Sequence, residues 1–413
     1  MTGPSTAGPS AAGPSAARTD PSRHFDALDG MRAIACYAVI LTHVGFQSGR
    51  SFGTGPQAPW LSRLDTAVPI FLMLSGFLLY RPFVAQAYRR SPVPRAAGFY
   101  WRRAVRVLPA YWVTAILTLG WLSSRRASLG DWLSYLSLTE IYNGHDLDPS
   151  LTHIWTLVAE VSLYAAVPVL ALSLRGRRSS EQILVSQCVL VGALLIASVT
   201  WQIAAFHVHS LGYVATKWLP GTIDWFALGM LLAVLSAAPA GSTALLRTRE
   251  VLSQWAGSPV LCWTLAVLLY WFLTLPLAGP IDLAVPAAGE HLAKNLLQGA
   301  VVFFLMLPLT LGDGGVIGRV LGNRVSRFLG QISYGVYLWH LPVLLFLHRG
   351  LDIPIWQGHF WKLLLLTTVS ASVLGTLSWY LLERPLLRRF SRPSWRNLGE
   401  PSAARQSPIT QSA

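Results

Sequence analysis

"LDGMRAIACYAVILTHVGF", Leu28 to Phe46, reads as a membrane span, yet it carries Asp29, Arg32 and His43. Ionisable groups inside a bilayer are costly and usually mark a functional path. Arg32 and His43 are eleven residues apart, and eleven steps of about 100° return a helix to nearly the same face. At about 1.5 Å per residue the two are separated by roughly 16 Å along the axis. One face of this helix therefore carries a cation near one end and an imidazole towards the other. An isolated membrane histidine is best explained as a helix–helix hydrogen bond. In phase with an arginine and preceded by Asp29, it points instead to a polar passage facing the inside of a helix bundle.

The rest of the chain fits that reading. Of 413 residues 53% are hydrophobic and only 12% charged, about half the charge of a soluble domain. The apolar residues fall into blocks of about twenty, the pattern of a polytopic all-α membrane bundle. Ten spans are expected, near 27–47, 66–88, 103–122, 153–173, 183–205, 219–237, 258–278, 292–312, 328–348 and 360–382. Seventeen Trp and thirteen Tyr suit interfacial belts as well as packing. Residues 1–24, with the repeat "GPSTAGPSAAGPSAA", and residues 391–413 have no apolar face and are expected to be disordered tails around a domain at 25–390. Residues 1–24 are not expected to be a signal peptide, because no apolar core follows a basic start.

The net charge of +14 raises the question of nucleic acid. If both termini lie inside, 24 of the 32 Lys and Arg fall on the inner side and 8 on the outer, and alternate loops share them. That is the positive-inside bias, not a basic binding face, so no nucleic-acid partner is expected. Cys36, Cys188 and Cys262 lie singly in apolar blocks, too few for a disulfide framework or metal site. No H-E-x-x-H, CxxC, P-loop or GxGxxG is present, which leaves zinc, ATP hydrolysis and NAD without support.

Glu160, in "HIWTLVAEVSLYAAVPVL", sits about 10 Å deep on the same face as His153. A carboxylate at that depth must be protonated, paired or wet. It either pairs with Arg32 or Arg106 to hold helices together, or orients an imidazole or a substrate hydroxyl. Arg102, Arg103 and Arg106, in "FYWRRAVRVLPAYWV", are i,i+3 and i,i+4 neighbours. With Arg89, Arg90 and Arg95 they form the densest basic patch of the chain. Anionic headgroups explain part of it; guanidinium forks also suit a multivalent phosphate. Tyr100 and Trp101 suit either stacking on a base or anchoring at the interface. Ser75 and Gly76 make a small pair for close helix approach; Ser75 lacks the G-x-S-x-G setting of a nucleophile. His340, two residues before Pro342 in "ISYGVYLWHLPV", reads as structural.

Six stretches in this order, "FDALDGMRAIACYAVILTHVG", "VPIFLMLSGFLLYRPF", "YWRRAVRVLPAYWV", "HIWTLVAEVSLYAAVPVL", "ISYGVYLWHLPVL" and "LLERPLLRR", resemble the membrane-bound acyltransferase family 3, whose members O-acylate sugars, cell-envelope glycans and antibiotics. The likeness runs from about Phe25 to Arg389; the middle, 175–320, matches little beyond hydropathy. The resemblance implies that the Arg-x10-His signature falls on Arg32 and His43, with His43 the essential catalytic group. It implies that Arg102, Arg103 and Arg106 serve the acyl-CoA donor and that Glu160 is the acidic position of the fourth span. Trp155, Thr156 and Leu157 stand where relatives read Trp-Ser-Leu, and Val161 replaces a second adjacent Glu. No hydrolase-like extension is expected after Arg389, so no fused second transfer step is expected.

The expectation is therefore an acyltransferase of the bacterial plasma membrane, both termini cytoplasmic, that holds no permanent cofactor. It takes acyl-CoA, acetyl-CoA by resemblance, as donor substrate and acylates a hydroxyl of a carbohydrate, glycolipid or glycosylated metabolite. His43, Glu160 and Arg32 are the catalytic candidates; Arg102, Arg103 and Arg106 are the donor site. The rival readings are a proton-coupled transporter or flippase with His43 and Glu160 as a relay, weakened by the lack of an inverted repeat, and a non-catalytic scaffold.

Overall fold

The computed structural model describes residues 25–92, 94–123, 127–143, 147–176, 179–208, 211–239 and 246–390. The expected tails at 1–24 and 391–413 lie outside the described residues. Among those described, every regular element is helical. The long helices are α1 (Asp26–Gln47), α2 (Ala67–Tyr88), α3 (Ala96–Leu117), α4 (Trp155–Leu170), α5 (Ser180–His207), α6 (Leu219–Ala237), α7 (Pro259–Leu273), α8 (Ala288–Thr310), α9 (Arg324–Gly350) and α10 (Phe360–Ser378). The protein is a multi-pass membrane bundle.

Among the described residues eight helical stretches are long and apolar enough to cross a membrane, nine if Arg247–Ala256 and Pro259–Leu273, which meet at 90°, form one broken span. The ninth span of the sequence reading, 328–348, is α9. It has the length, 27 residues, but it is not among the helices apolar enough to qualify. Its Gln331, Ser333, Tyr334 and Tyr337 line the cavity described below.

Hydrogen bonds between loops show how the chain alternates. At one end Trp356 N–H donates to Gln47 O (2.6 Å), Trp218 Nε1 to Ile141 O (2.9 Å), Arg349 to Leu122 O (2.6 Å) and Arg63 Nε to Leu273 O (2.8 Å). At the other, Arg327 pairs with Asp26 (3.4 Å), Arg81 Nε donates to Ser236 Oγ (3.2 Å) and Trp101 Nε1 to Phe390 O (2.7 Å). Successive long helices thus run between the same two faces.

Small residues set the closest crossings. A Cβ on Gly76 would lie 2.3 Å from the carbonyl oxygen of Phe226, and one on Gly229 2.1 Å from that of Met73. The backbones of α2 and α6 therefore touch, as the Ser75–Gly76 pair leads one to expect. A Cβ on Gly330 would meet the Asp29 carbonyl at 2.2 Å, which presses α9 against the start of α1. Bulky side chains at either crossing would force the helices that carry the site apart.

α3 starts at Ala96, seven residues before the expected span. Arg102, Arg103 and Arg106 consequently lie inside the helix rather than ahead of it. Tyr100 donates to Ala165 O (3.1 Å), and Trp101 to Phe390 O as above. Both rings are thereby engaged as anchors of α3. The three cysteines are unbridged.

Candidate active site

The cation-bearing starts of α1 and α3 and the polar face of α9 enclose a cavity of about 530 Å³, the size range of small-molecule sites. Arg32, Arg102, Arg103, Arg106 and Glu160 all line it, as do Ser75, Tyr164 and Tyr337. The sequence reading therefore named five residues that share one cavity. The two acidic groups in it are occupied. Asp29 pairs with Arg32 at 2.9 Å. Glu160 Oε1 accepts from Ser75 Oγ (2.6 Å) and Tyr164 Oη (2.8 Å). Glu160 makes no ion pair with Arg32 or Arg106 and no bond to His43. Arg103 and Arg106 make no ion pair among the described residues. Two adjacent guanidiniums lining one cavity are the kind of group that suits an anionic ligand.

Two hydroxyl-bearing residues, Thr156 and Tyr337, line the cavity and are joined to each other. Thr156 Oγ1 and Tyr337 Oη lie 2.6 Å apart, and Tyr337 Oη also donates to the carbonyl of His153. The Tyr337 ring packs 6.1 Å from Phe71. Arg32 lies on the near side of this pair.

Beyond it lie three imidazoles that the sequence scatters over 297 residues. His43 does not line the cavity; it sits behind the Thr156–Tyr337 pair with His153 and His340. Ring centroids are 5.0 Å apart for His43–His340, 4.8 Å for His153–His340 and 6.5 Å for His43–His153. Tyr337 touches the group from the cavity side, 5.2 Å from His153 and 5.7 Å from His340. His43 Nδ1 is 2.9 Å from Val39 O and 3.3 Å from His340 Nε2; His340 Nδ1 is 2.5 Å from Tyr337 O. His43 is half-buried, whereas His153 and His340 are buried. Pro342 deprives the Leu338 carbonyl of its helical donor, and that carbonyl faces His153.

Sequence reasoning missed this clustering. It read His340 as structural and paired His153 with Glu160 by helical phase. His153 lies instead in the 3-10 turn Thr152–Ile154 ahead of α4, so the phase argument did not apply. The available signal was the Pro two residues after His340, which frees a carbonyl inside an apolar bundle.

A polytopic bundle with a cationic cavity and an imidazole group beside it defines a class: a multi-pass membrane protein with a polar site among its helices. The chain belongs to the acyltransferase 3 family, whose description, acyltransferase domain, matches residues 25–384. Among curated proteins it is similar to YrhL of Bacillus subtilis, named as a candidate peptidoglycan O-acetyltransferase, with 24% identity over 91% of this chain and 57% of that protein. It is likewise similar to the peptidoglycan O-acetyltransferase OatA of Listeria monocytogenes (21% identity; 88% of this chain, 56% of that protein). The O-acetyltransferase OatA of Staphylococcus aureus matches at 21% identity over 89% of this chain and 58% of its own. The chain thus spans somewhat over half the length of these relatives. No solved structure matches it significantly.

Proposed function

We propose that the protein takes an acetyl group from cytoplasmic acetyl-CoA and delivers it to a hydroxyl of a cell-envelope glycan, with His43 as the catalytic base. The observation that carries this reading is one cavity lined both by Arg103 and Arg106 and by Tyr337, whose ring packs against His153 and His340 of the His43 group. The phosphates of CoA dock on Arg102, Arg103 and Arg106, and the thin thioester arm runs inward past Glu160. Arg32, tied to Asp29, lines the donor channel and lies too far along α1 to touch the atom that His43 touches.

His43 takes the proton of the acceptor hydroxyl as its oxygen bonds to the thioester carbonyl carbon. The C–S bond breaks, and the CoA thiolate leaves and receives the proton back from the imidazolium. In the two-step version the His43 nitrogen itself takes the acetyl group and passes it to the hydroxyl. A base within hydrogen-bond reach contributes about 10²–10⁴-fold. The donor arm meets this base only when the Thr156 and Tyr337 hydroxyls part. The names of the relatives support a glycan acceptor and an acetyl donor. The proton-relay reading lacks such support, because Glu160 is bonded to Ser75 and Tyr164 rather than to His43.

The test is purified protein in vesicles given acetyl-CoA labelled in the acetyl group and an envelope-glycan acceptor. Labelled glycan with stoichiometric CoA release is expected. Movement of glycan across the vesicle with no CoA release would overturn the reading in favour of transport.

A further inference from the structure

Three contacts around His43 fix which of its nitrogens can act. Backbone carbonyls only accept hydrogen bonds. His340 Nδ1, 2.5 Å from Tyr337 O, must therefore carry a proton. The same holds for His43 Nδ1, 2.9 Å from Val39 O. If both rings are neutral, each has an unprotonated Nε2. His340 Nε2 is then an acceptor, and it lies 3.3 Å from the protonated Nδ1 of His43. The network is consistent in this direction alone. The reverse would set a lone pair against a carbonyl or place a second proton on a buried ring. Among the described residues no carboxylate hydrogen-bonds any of the three imidazoles, so a buried imidazolium would have no counter-ion to hold it.

We infer that His340 is the positioning residue of His43: it fixes the tautomer in which Nε2 of His43 is the reactive nitrogen. This rests on the proposed role of His43 as base and names the atom that performs it. It also gives the half-buried ring two acceptors, Val39 O and His340 Nε2, for its Nδ1–H. Both bonds strengthen when Nε2 takes up a proton and the ring becomes cationic. A buried carboxylate fills this place in serine hydrolases, and it too acts by holding tautomer and orientation. A neutral imidazole does it here without placing a permanent charge in the bundle, where a charge is expensive.

Two measurements test this together. In wild-type protein with ¹⁵N-labelled histidine, NMR should show His43 protonated at Nδ1 and unprotonated at Nε2, whether or not any transfer is detected. In the acetyl-transfer assay, His340→Phe should lower kcat about 10–100-fold with the KM for acetyl-CoA within twofold. His340→Gln, which keeps an acceptor, should recover part of the loss. A purely structural His340 would not sort Gln from Phe by hydrogen-bonding power. Protonation of His43 at Nε2, or equal kcat for wild type and both variants, would overturn the inference. If both variants lose CoA affinity through misfolding, the wild-type NMR result decides. Wild-type protein with the stated tautomer but no acetyl transfer would sink the proposed function and leave the tautomer assignment standing.

Discussion

The two ends of the polar interior handle charge in opposite ways. At the arginine end four guanidiniums line a cavity, and Arg32 is tied to Asp29 by an ion pair across its own helix turn. At the histidine end three rings pack together: His43 and His340 bond to backbone carbonyls and meet each other, and His153 packs edge-on against His340. The first arrangement suits a ligand that brings its own negative charge from water. The second suits chemistry on a neutral hydroxyl, where a permanent ion would be costly. Along α1 the ends are roughly 16 Å apart, and the Thr156–Tyr337 contact stands between them. Under the proposed function, recognition and reaction are thus separable, and each can be damaged alone.

The largest separation is expected from His43→Ala. Acetyl transfer should fall about 10²–10⁴-fold, the usual contribution of a positioned base, while CoA affinity measured by calorimetry stays within twofold. Full transfer by the purified variant would show that the histidine end is not where the reaction occurs. The converse substitution is at Arg103 or Arg106. A hydrogen bond to a charged group is worth about 1.5–3 kcal/mol. Either arginine changed to Gln should therefore raise the KM for acetyl-CoA about 10–100-fold with kcat nearly unchanged. Lys should restore part of the loss, since it keeps the charge but not the fork. A fall in kcat at constant KM would merge the two ends into one site and remove the comparison.

The boundary itself gives a smaller effect. Tyr337→Phe keeps the ring that touches His153 and His340 but removes the hydroxyl that meets Thr156 and the His153 carbonyl. Each such bond is worth about 1 kcal/mol. Acceptor-independent CoA release should then rise about fivefold, as the thioester arm reaches the histidines and water more often. An unchanged leak would mean that the hydroxyl pair does not close the cavity.

The sequence announced the arginine end far better than the histidine end, and the reason is local. Arg32 and Arg102 to Arg106 lie within single helices, so period and spacing suffice to align them, and hydropathy places both near the same face. Glu160 could be put in the same interior because a buried carboxylate has few options. The histidine end is assembled from α1, α9 and the turn before α4. Contacts among residues 43, 153 and 340 depend on helix packing that no single period reports. The α2–α6 crossing lies between these cases: the Ser75–Gly76 pair signalled a close approach, but not that Gly229 would answer it. α9 was correctly read as a long helix and misjudged in apolarity, because the polar residues on its inner face belong to the site.

The intolerance of the histidine end for charge can be read from a residue outside the reaction. Glu140, in the 3-10 turn Glu140–Tyr142 near Tyr337 and Tyr111, is 4% exposed, and among the described residues neither carboxylate oxygen meets a hydrogen-bond donor from another residue. Burial pushes its pKa from 4.5 up to about 7. In the unfolded chain the group ionises near pH 4.5, so below that value both states are protonated and no penalty arises. Between about pH 4.5 and 7 the unfolded state releases its proton more readily, and the fold loses stability as the pH rises. Above pH 7 the loss levels off, at about 3 kcal/mol in order of magnitude. Glu140→Gln keeps the shape and cannot ionise. In detergent the wild-type melting temperature should fall by a few degrees from pH 5 to pH 8 relative to the variant, whose slope from this site should vanish. Parallel pH profiles would mean that water or a donor reaches Glu140. The histidine end would then be as wet as the arginine end, and the contrast between the two would lose its physical basis.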